Sequence, residues 1–210
     1  MFKSICKKTT ALLLVVTCII AITSGCAKQN TTDTSKETTV SADHPQVQIE
    51  MENGDKMVFQ LYPEFAPATV SNFISLAEAG FYNGLTLHRI IKDFMIQGGD
   101  PSGDGSGGSD KNIKGEFLEN GFTKNALSHV KGVISMARSG QPDSASSQFF
   151  IMHAANPGLD RKYAAFGVLT SGEDILDKLA NTPVESNGQT PPEISKPTKT
   201  VKIKAVTVLK

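Results

Sequence analysis

Tryptophan is missing from the 210 residues, and cysteine nearly so, with three. Cys6 and Cys18 fall within the first 25 residues, and only Cys26 lies beyond them. The body of the chain therefore has no disulfide framework and no cysteine-rich metal site. An excess of either charge is absent too, since 21 basic residues face 21 acidic ones, so nothing in the total favours nucleic acid as a partner. The histidines, His44, His88, His129 and His153, lack metal-like spacing, and no carboxylate pair is placed for acid–base work. Covalent and hydrolytic chemistry are poorly supported, and neither metal nor cofactor is called for. No repeat of solenoid or propeller period occurs.

What is present begins with an address. Lys3, Lys7 and Lys8 precede the apolar run Ala11–Ile22 (ALLLVVTCIIAI), then Thr23-Ser24-Gly25 and Cys26. This is the layout of a secretory signal, and the run is shorter than the roughly 20 residues that span a bilayer. A cysteine directly after Ser-Gly resembles the bacterial lipobox, with Thr23 where leucine is usual. Residues 1–25 are thus expected to be a lipoprotein-type signal peptide and Cys26 to be lipidated. The chain would be exported and held on the outer, extracytoplasmic face of the bacterial cell membrane. A diacylglyceryl group supplies the two chains that stable anchoring needs. Removal of the signal takes three lysines and no acid, leaving 18 basic against 21 acidic residues, a balance of −3. Residues 26–44 are Thr/Ser-rich and read as a flexible tether, with the folded domain at 45–210.

Within that domain, Val47, Ile49 and Met51 alternate with polar residues, as do Met57, Phe59 and Leu61. Asn53-Gly54 between them signals a hairpin. Residues 67–79 place Val70, Phe73, Ile74 and Ala77 at helical spacing, with Pro67 at the start and Gly80 past the end. Strands are expected over 132–137, 148–152 and 165–169, a second helix over 173–181, and a last strand through Val206-Thr207-Val208. Eighteen glycines suit a turn-rich β protein, a barrel or sandwich with helical lids. The segment 183–200 reads as a loop that solvates the surface.

The stretch Leu85–Asp100 (LTLHRIIKDFMIQGGD) organises the rest. Arg89 sits among Leu85, Leu87, Ile90 and Ile91, where an unpaired charge would cost several kcal/mol, so it needs a partner or a task. Alternation puts it on the face opposite His88 and Ile90. His88 reads as a hydrogen-bonded core histidine. The following GDGSGG satisfies G-x-G-x-x-G, but no amphipathic helix opens behind it, which sets a dinucleotide site aside. It also departs from a protease nucleophile loop and from a calcium loop, whose closing glutamate is replaced by Lys111. A mobile surface loop is the remaining reading.

LHRIIKDFMIQGGD with GSGG after it, GVISMARS (132–139), SSQFFI (146–151) and LDRKYAAFG (159–167) together resemble the cyclophilins, the peptidyl-prolyl cis-trans isomerases. The likeness runs from about Gln46 to the C-terminus. It implies a mainly β fold, a closed eight-stranded antiparallel barrel capped by two α-helices. It implies an isomerase of Xaa-Pro bonds assisting the folding of exported proteins, and proline-containing polypeptides as partners. By the same resemblance, Arg89 matches the catalytic arginine and Gln97 the amide that orients it. Phe94, Met95, Phe150 and Leu159 match the walls of the proline pocket, and Gln148 a further polar wall. Ala137, Arg138 and Ser139 fall where the family lays the substrate backbone, and Gly105 beside the neighbouring subsite. Gly158 stands where animal members carry tryptophan, which implies weak or no cyclosporin binding. Tyr163 stands for their pocket histidine, and Arg138-Ser139 depart from the usual Asn-Ala. Alternation alone lets Met95 and Gln97 share a face, and Gln148 and Phe150 another; Phe94 turns inward only if the chain bends near Lys92–Asp93. A monomer is expected. The alternative reading is a non-catalytic binder of Pro-containing segments at the cell surface.

Overall fold

The computed structural model describes residues 44–210; the expected signal, Cys26 and all of the expected tether but its last residue lie outside them. The chain enters as β1 (Gln46–Met51) and returns as β2 (Lys56–Leu61). Val47 pairs with Phe59 and Ile49 with Met57, so the alternating apolar residues of both strands point to one side and are fully buried. Helix α1 (Pro67–Glu78) buries Val70, Phe73 and Ala77. Its N-terminus has no local capping side chain, because Ala66 precedes Pro67. Glu116, distant in sequence and buried, takes that role: its carboxylate accepts the N–H groups of Ala68 at 2.9 Å and Thr69 at 2.8 Å.

Next come β3 (Thr86–Ile91), β4 (Met95–Asp100), β5 (Val133–Met136), β6 (Phe149–Met152) and β7 (Ala165–Ser171). Helix α2 (Glu173–Ala180), β8 (Val184–Ser186), β9 (Ile194–Pro197) and β10 (Ile203–Leu209) complete the order. Eight strands form one antiparallel sheet in the order β10-β1-β2-β7-β5-β6-β4-β3.

The expected closed barrel is corrected by this order: the sheet is an open half-barrel whose end strands are β3 and β10. β10 is paired with β1 along its length. Only the residues at its entry reach β3, through Leu87 N–H to Val201 O (2.9 Å), Ile203 N–H to Leu85 O (2.8 Å) and a single bridge between Thr86 and Lys202. No ladder joins the two ends among the described residues, so the sheet stays open there. A second correction concerns 183–200. It holds a separate two-stranded ladder, β8 with β9, with the loop 187–193 between them.

The sheet divides two apolar clusters. The larger gathers Val47, Ile49, Phe59, Phe73, Tyr82 and Phe149 with α1 and α2. The smaller contains Met95, Val133, Phe150, Met152 and Ala165, with Phe94, Leu159 and Tyr163 packed against it. Alternation along β6 feeds both: Phe149 and Ile151 belong to the first, Phe150 and Met152 to the second.

Candidate active site

The site is built on the second cluster, and a bulge in β3 aims its cation there. Leu87 pairs with Gly98 and Arg89 with Gln97, so His88 is an extra residue on its strand. Leu87 and Ile90 are both buried, which unbroken alternation would not allow. His88 and Arg89 line one common groove, although alternation set them on opposite faces. The pairing then runs in a row: Arg89 opposite Gln97, Gln97 opposite Phe150, Phe150 opposite Ser135. Cross-strand partners share a face, which puts the guanidinium, the amide and the ring side by side.

Arg89 is about one-third exposed, at 31%. Its Nε and Nη2 donate to the two carboxylate oxygens of Glu193, both at 2.7 Å. Its Nη1 donates to Gln97 Oε1 at 3.3 Å and approaches Met95 Sδ at 3.6 Å. The Phe94 ring lies 5.8 Å from the guanidinium carbon. Phe94 reaches this position because Asp93 takes φ +61° in the turn between β3 and β4, the bend its parity required.

A directional chain of amides continues from the arginine. Gln97 Nε2 donates to Gln148 Oε1 at 2.8 Å, and Gln148 Nε2 donates to the carbonyls of Gly105 (3.0 Å) and Gly107 (2.7 Å). The glycine-rich loop is held from its other side by buried Asp100. That carboxylate accepts the N–H groups of Ser102 (2.8 Å), Asp104 (3.1 Å) and Gly105 (2.6 Å). A Cβ on Gly107 would collide with the Asp100 carboxylate and with Ser102 Oγ, and Gly105 takes φ +90°. The mobile-loop reading is therefore corrected: the loop is pinned by the amide chain on one side and by Asp100 on the other.

Three concavities meet along this row. The first, about 150 Å³, is lined by Arg89, Phe94, Met95, Gln97, Ala137, Arg138, Phe150, Leu159 and Tyr163. Its neighbour, about 210 Å³, adds Gly105, Ser139, Ser144 and Gln148 to Gln97, Ala137 and Arg138. A wider groove, about 650 Å³, lies on the other side of Arg89 between Asp104 and the 187–193 loop. All twelve residues singled out from the sequence for catalysis and binding thus fall around two adjoining cavities. Gly158 is exposed, in the short turn Pro157–Leu159 that carries Leu159 to the rim. Arg138 is locked between rings, its guanidinium carbon 4.9 Å from the Phe117 centroid and 4.7 Å from that of Tyr163. It also donates to the carbonyls of Lys162 and Ser139.

Behind the Phe150 wall lies a network the sequence did not announce. His129 stacks on Phe150 with 17° between planes and meets Tyr163 edge-on at 77°. Asp160 Oδ1 accepts from His129 backbone N–H (2.7 Å) and ring Nδ1–H (2.9 Å), which leaves Nε2 to accept from Ser135 Oγ–H at 3.0 Å. The arrangement has the connectivity of a hydrolase triad, but Ser135 is fully buried at 0% exposure, so no substrate reaches its oxygen. It braces the aromatic wall instead. Burial depresses the His129 pKa, against the opposing pull of Asp160, and keeps the ring neutral. Glu193 is held below the ordinary carboxylate range by its hydrogen bonds from Arg89, against a smaller opposing effect of burial.

His88 departs from its expected role. Among the described residues neither of its ring nitrogens has a hydrogen-bond partner, and burial depresses its pKa. The residue that sequence reasoning missed most plainly is Glu193. The signal that could have found it was Arg89 itself, a strand cation in need of a partner, but 104 positions separate the two.

Comparison with known proteins agrees with the geometry. A family model described as "Cyclophilin type peptidyl-prolyl cis-trans isomerase/CLD" matches residues 46–208. Over 131 residues the chain is 46% identical to Peptidyl-prolyl cis-trans isomerase B of Bacillus subtilis, covering 62% of this chain and 87% of that one. It is 40% identical over 141 residues to Peptidyl-prolyl cis-trans isomerase-like 2 of Gibberella zeae, covering 67% of this chain but only 24% of that longer protein. A crystal structure of a Cryptosporidium parvum cyclophilin type peptidyl-prolyl cis-trans isomerase superposes with TM-score 0.70 at 31% identity, covering 80% of this chain and 98% of the other. A second structure of that protein, in the presence of the dipeptide Ala-Pro, gives TM-score 0.68 at 30% identity, covering 79% and 99%. By the extent of the family match and the level of identity, the chain belongs to the cyclophilin-type peptidyl-prolyl cis-trans isomerases.

Proposed function

We propose that this isomerase works by hydrogen bonding from Arg89 to a twisted Xaa-Pro bond whose proline ring sits among Phe94, Met95, Phe150, Leu159 and Tyr163. The observation that carries the reading is the direction of the guanidinium. Of its five N–H donors, Glu193 takes two in short bonds of 2.7 Å, whereas Nη1, beside the apolar cavity, makes only the longer contacts to Gln97 Oε1 (3.3 Å) and Met95 Sδ (3.6 Å), which can yield to a substrate. Rotation about a peptide bond is resisted by a barrier of about 18–20 kcal/mol because nitrogen shares its lone pair with the carbonyl. In the twisted state the pair is localised on nitrogen and accepts a hydrogen bond. A donor that stays charged is therefore stronger towards the transition state than towards either ground state, and each ~1.4 kcal/mol of that difference gives about tenfold in rate. The apolar walls exclude water and strengthen the interaction. No covalent bond breaks, so no nucleophile is involved. Ala137, Arg138, Ser139 and Gln148, with Gly105, would receive the peptide on the amino-terminal side of the proline. The Ala-Pro dipeptide present with the Cryptosporidium relative is the same class of ligand.

The test is the cis-to-trans rate of a short Ala-Pro peptide with the full chain and with Arg89→Ala. Acceleration that disappears in the variant supports the mechanism. An equally fast variant would move the chemistry away from Arg89.

For location, the proposal is export and lipid attachment through Cys26 at the outer face of the bacterial membrane, with exported Pro-containing proteins as clients and the monomer as the working form. Support comes from the ordering of Lys3, Lys7 and Lys8, the apolar run and Cys26. Labelling cells with a radioactive fatty acid should mark the wild type and not Cys26→Ser; label retained in Cys26→Ser would end the idea. Gly158 at the rim, where animal members carry an indole, is expected to leave cyclosporin binding weak.

A further inference from the structure

We infer that Glu193 is a positioning residue of the reaction: its carboxylate clamps the Arg89 guanidinium in the one orientation that turns Nη1 towards the proline cavity. The inference rests on Arg89 being the catalytic donor. Arginine has a long side chain with many rotamers, and a partly exposed guanidinium on a strand bulge would sample several positions unless held. Gln97 alone does not hold it, since a single contact of 3.3 Å leaves the fork free to swing. Glu193 supplies the missing constraint with two short, parallel, charge-assisted bonds at 2.7 Å, which fix the plane of the fork as well as its position.

The carboxylate is itself placed by a built loop. Asn187 N–H donates to the Glu193 carbonyl at 2.9 Å. Asn187 Oδ1 accepts Glu193 N–H at 3.1 Å and Gln189 N–H at 3.1 Å. The loop is thus tied at its neck, with β8 and β9 leading into it and Ser195, just past Glu193, buried at 1%. An acid drifting on a flexible segment would only screen the arginine. One fixed at a loop neck sets its geometry, and catalysis by positioned donors is sensitive to shifts on the order of 1 Å. The clamp occupies Nε and Nη2, the side of the fork that faces the groove shared with His88 and Asp104. Nη1 keeps only the longer contacts to Gln97 Oε1 (3.3 Å) and the weak acceptor Met95 Sδ (3.6 Å), so it is the nitrogen a substrate can claim.

The test uses NMR exchange on the full chain with an Ala-Pro peptide, reading isomerisation rate at saturation, peptide affinity and the Arg89 Nε–H resonance. Glu193→Gln keeps shape but presents only one acceptor. It is expected to lower the saturated rate about tenfold, to leave affinity within about twofold and Tm unchanged, and to broaden the Nε–H signal by exchange with water. Glu193→Asp, which keeps the charge on a shorter stem, is expected to recover only part of the rate. Asn187→Ala, which loosens the loop neck, should move in the same direction by less. A Glu193→Gln rate equal to or above wild type, a loss confined to affinity, or full recovery by Glu193→Asp would overturn the inference. A wild type that does not accelerate the peptide at all would remove the isomerase mechanism together with it, an outcome distinct from the other three.

Discussion

Phe149 and Phe150 are adjacent on β6, are both buried, and have opposite employment. Phe149 faces the larger cluster, where it meets Phe73 edge-on at 84° and Tyr82 at 81°. Phe150 faces the smaller cluster, with the His129 ring stacked on it and Tyr163 edge-on at 87°. The first side of the sheet is covered by helices and is dominated by apolar side chains. The second is covered by loops, carries a buried histidine–aspartate–serine network, and opens into the cavity beside Arg89. One side therefore holds the fold together, and the other keeps a surface firm enough to bind and open enough to be reached.

The sharpest way to break this contrast is at the pair itself. Phe149→Ala is expected to cost about 3–5 kcal/mol of stability in urea unfolding, from lost burial and the cavity left behind. A loss under about 1 kcal/mol would mean the two sides are not distinct. Next in size is Arg89→Ala, expected to lower the isomerisation rate about 10²-fold while stability moves by less than about 1 kcal/mol, since the Glu193 pair is a third exposed. A variant that unfolds as readily as it loses activity would blur the division.

His129→Ala probes the brace between the two sides. It leaves Asp160 and Ser135 short of a partner, and about 1–3 kcal/mol of stability should go with it. Peptide affinity should also fall as the Phe150 wall slackens; unchanged affinity would show that the wall stands without its brace. The smallest effect is in pH. The folded-state His129 pKa lies below the ordinary 6.5 because burial disfavours the cation. As pH falls below about 6.5 the unfolded chain takes up the proton first, and stability should decline by at most about 1.4 kcal/mol per pH unit until the folded ring also protonates. The His129→Ala variant should lack that slope, and an identical slope would assign it elsewhere.

Local signals were legible wherever two or more of them coincided. The hairpin of β1 and β2 could be read because alternation and Asn53-Gly54 agree, and α1 because Pro67, the apolar spacing and Gly80 agree. Parity alone set Phe94 on the opposite face; only the resemblance turned it inward, and the bend at Asp93 brings it there. What escaped were features that depend on distant partners: Glu116 capping α1, Asp100 pinning the glycine loop, and the bulge that brings His88 round beside Arg89. The openness of the sheet escaped as well, because it depends on where β10 stops reaching β3 and not on either strand's composition.

By itself the sequence determined the local elements and the apolar faces of the strands; the side chains that gather at the cavity were named through the resemblance of its motifs to the cyclophilins. Each of these follows from period, turn chemistry or motif, which act over a few residues. Only the tertiary structure decided what Arg89 touches. The choice among solvent, Gln97 and Glu193 was settled by a two-stranded ladder and a tied loop that carry the carboxylate 104 positions along the chain to within 2.7 Å. Contacts at that separation have no local signature, because the free energy that makes them resides in the folded surface and not in any stretch of the chain.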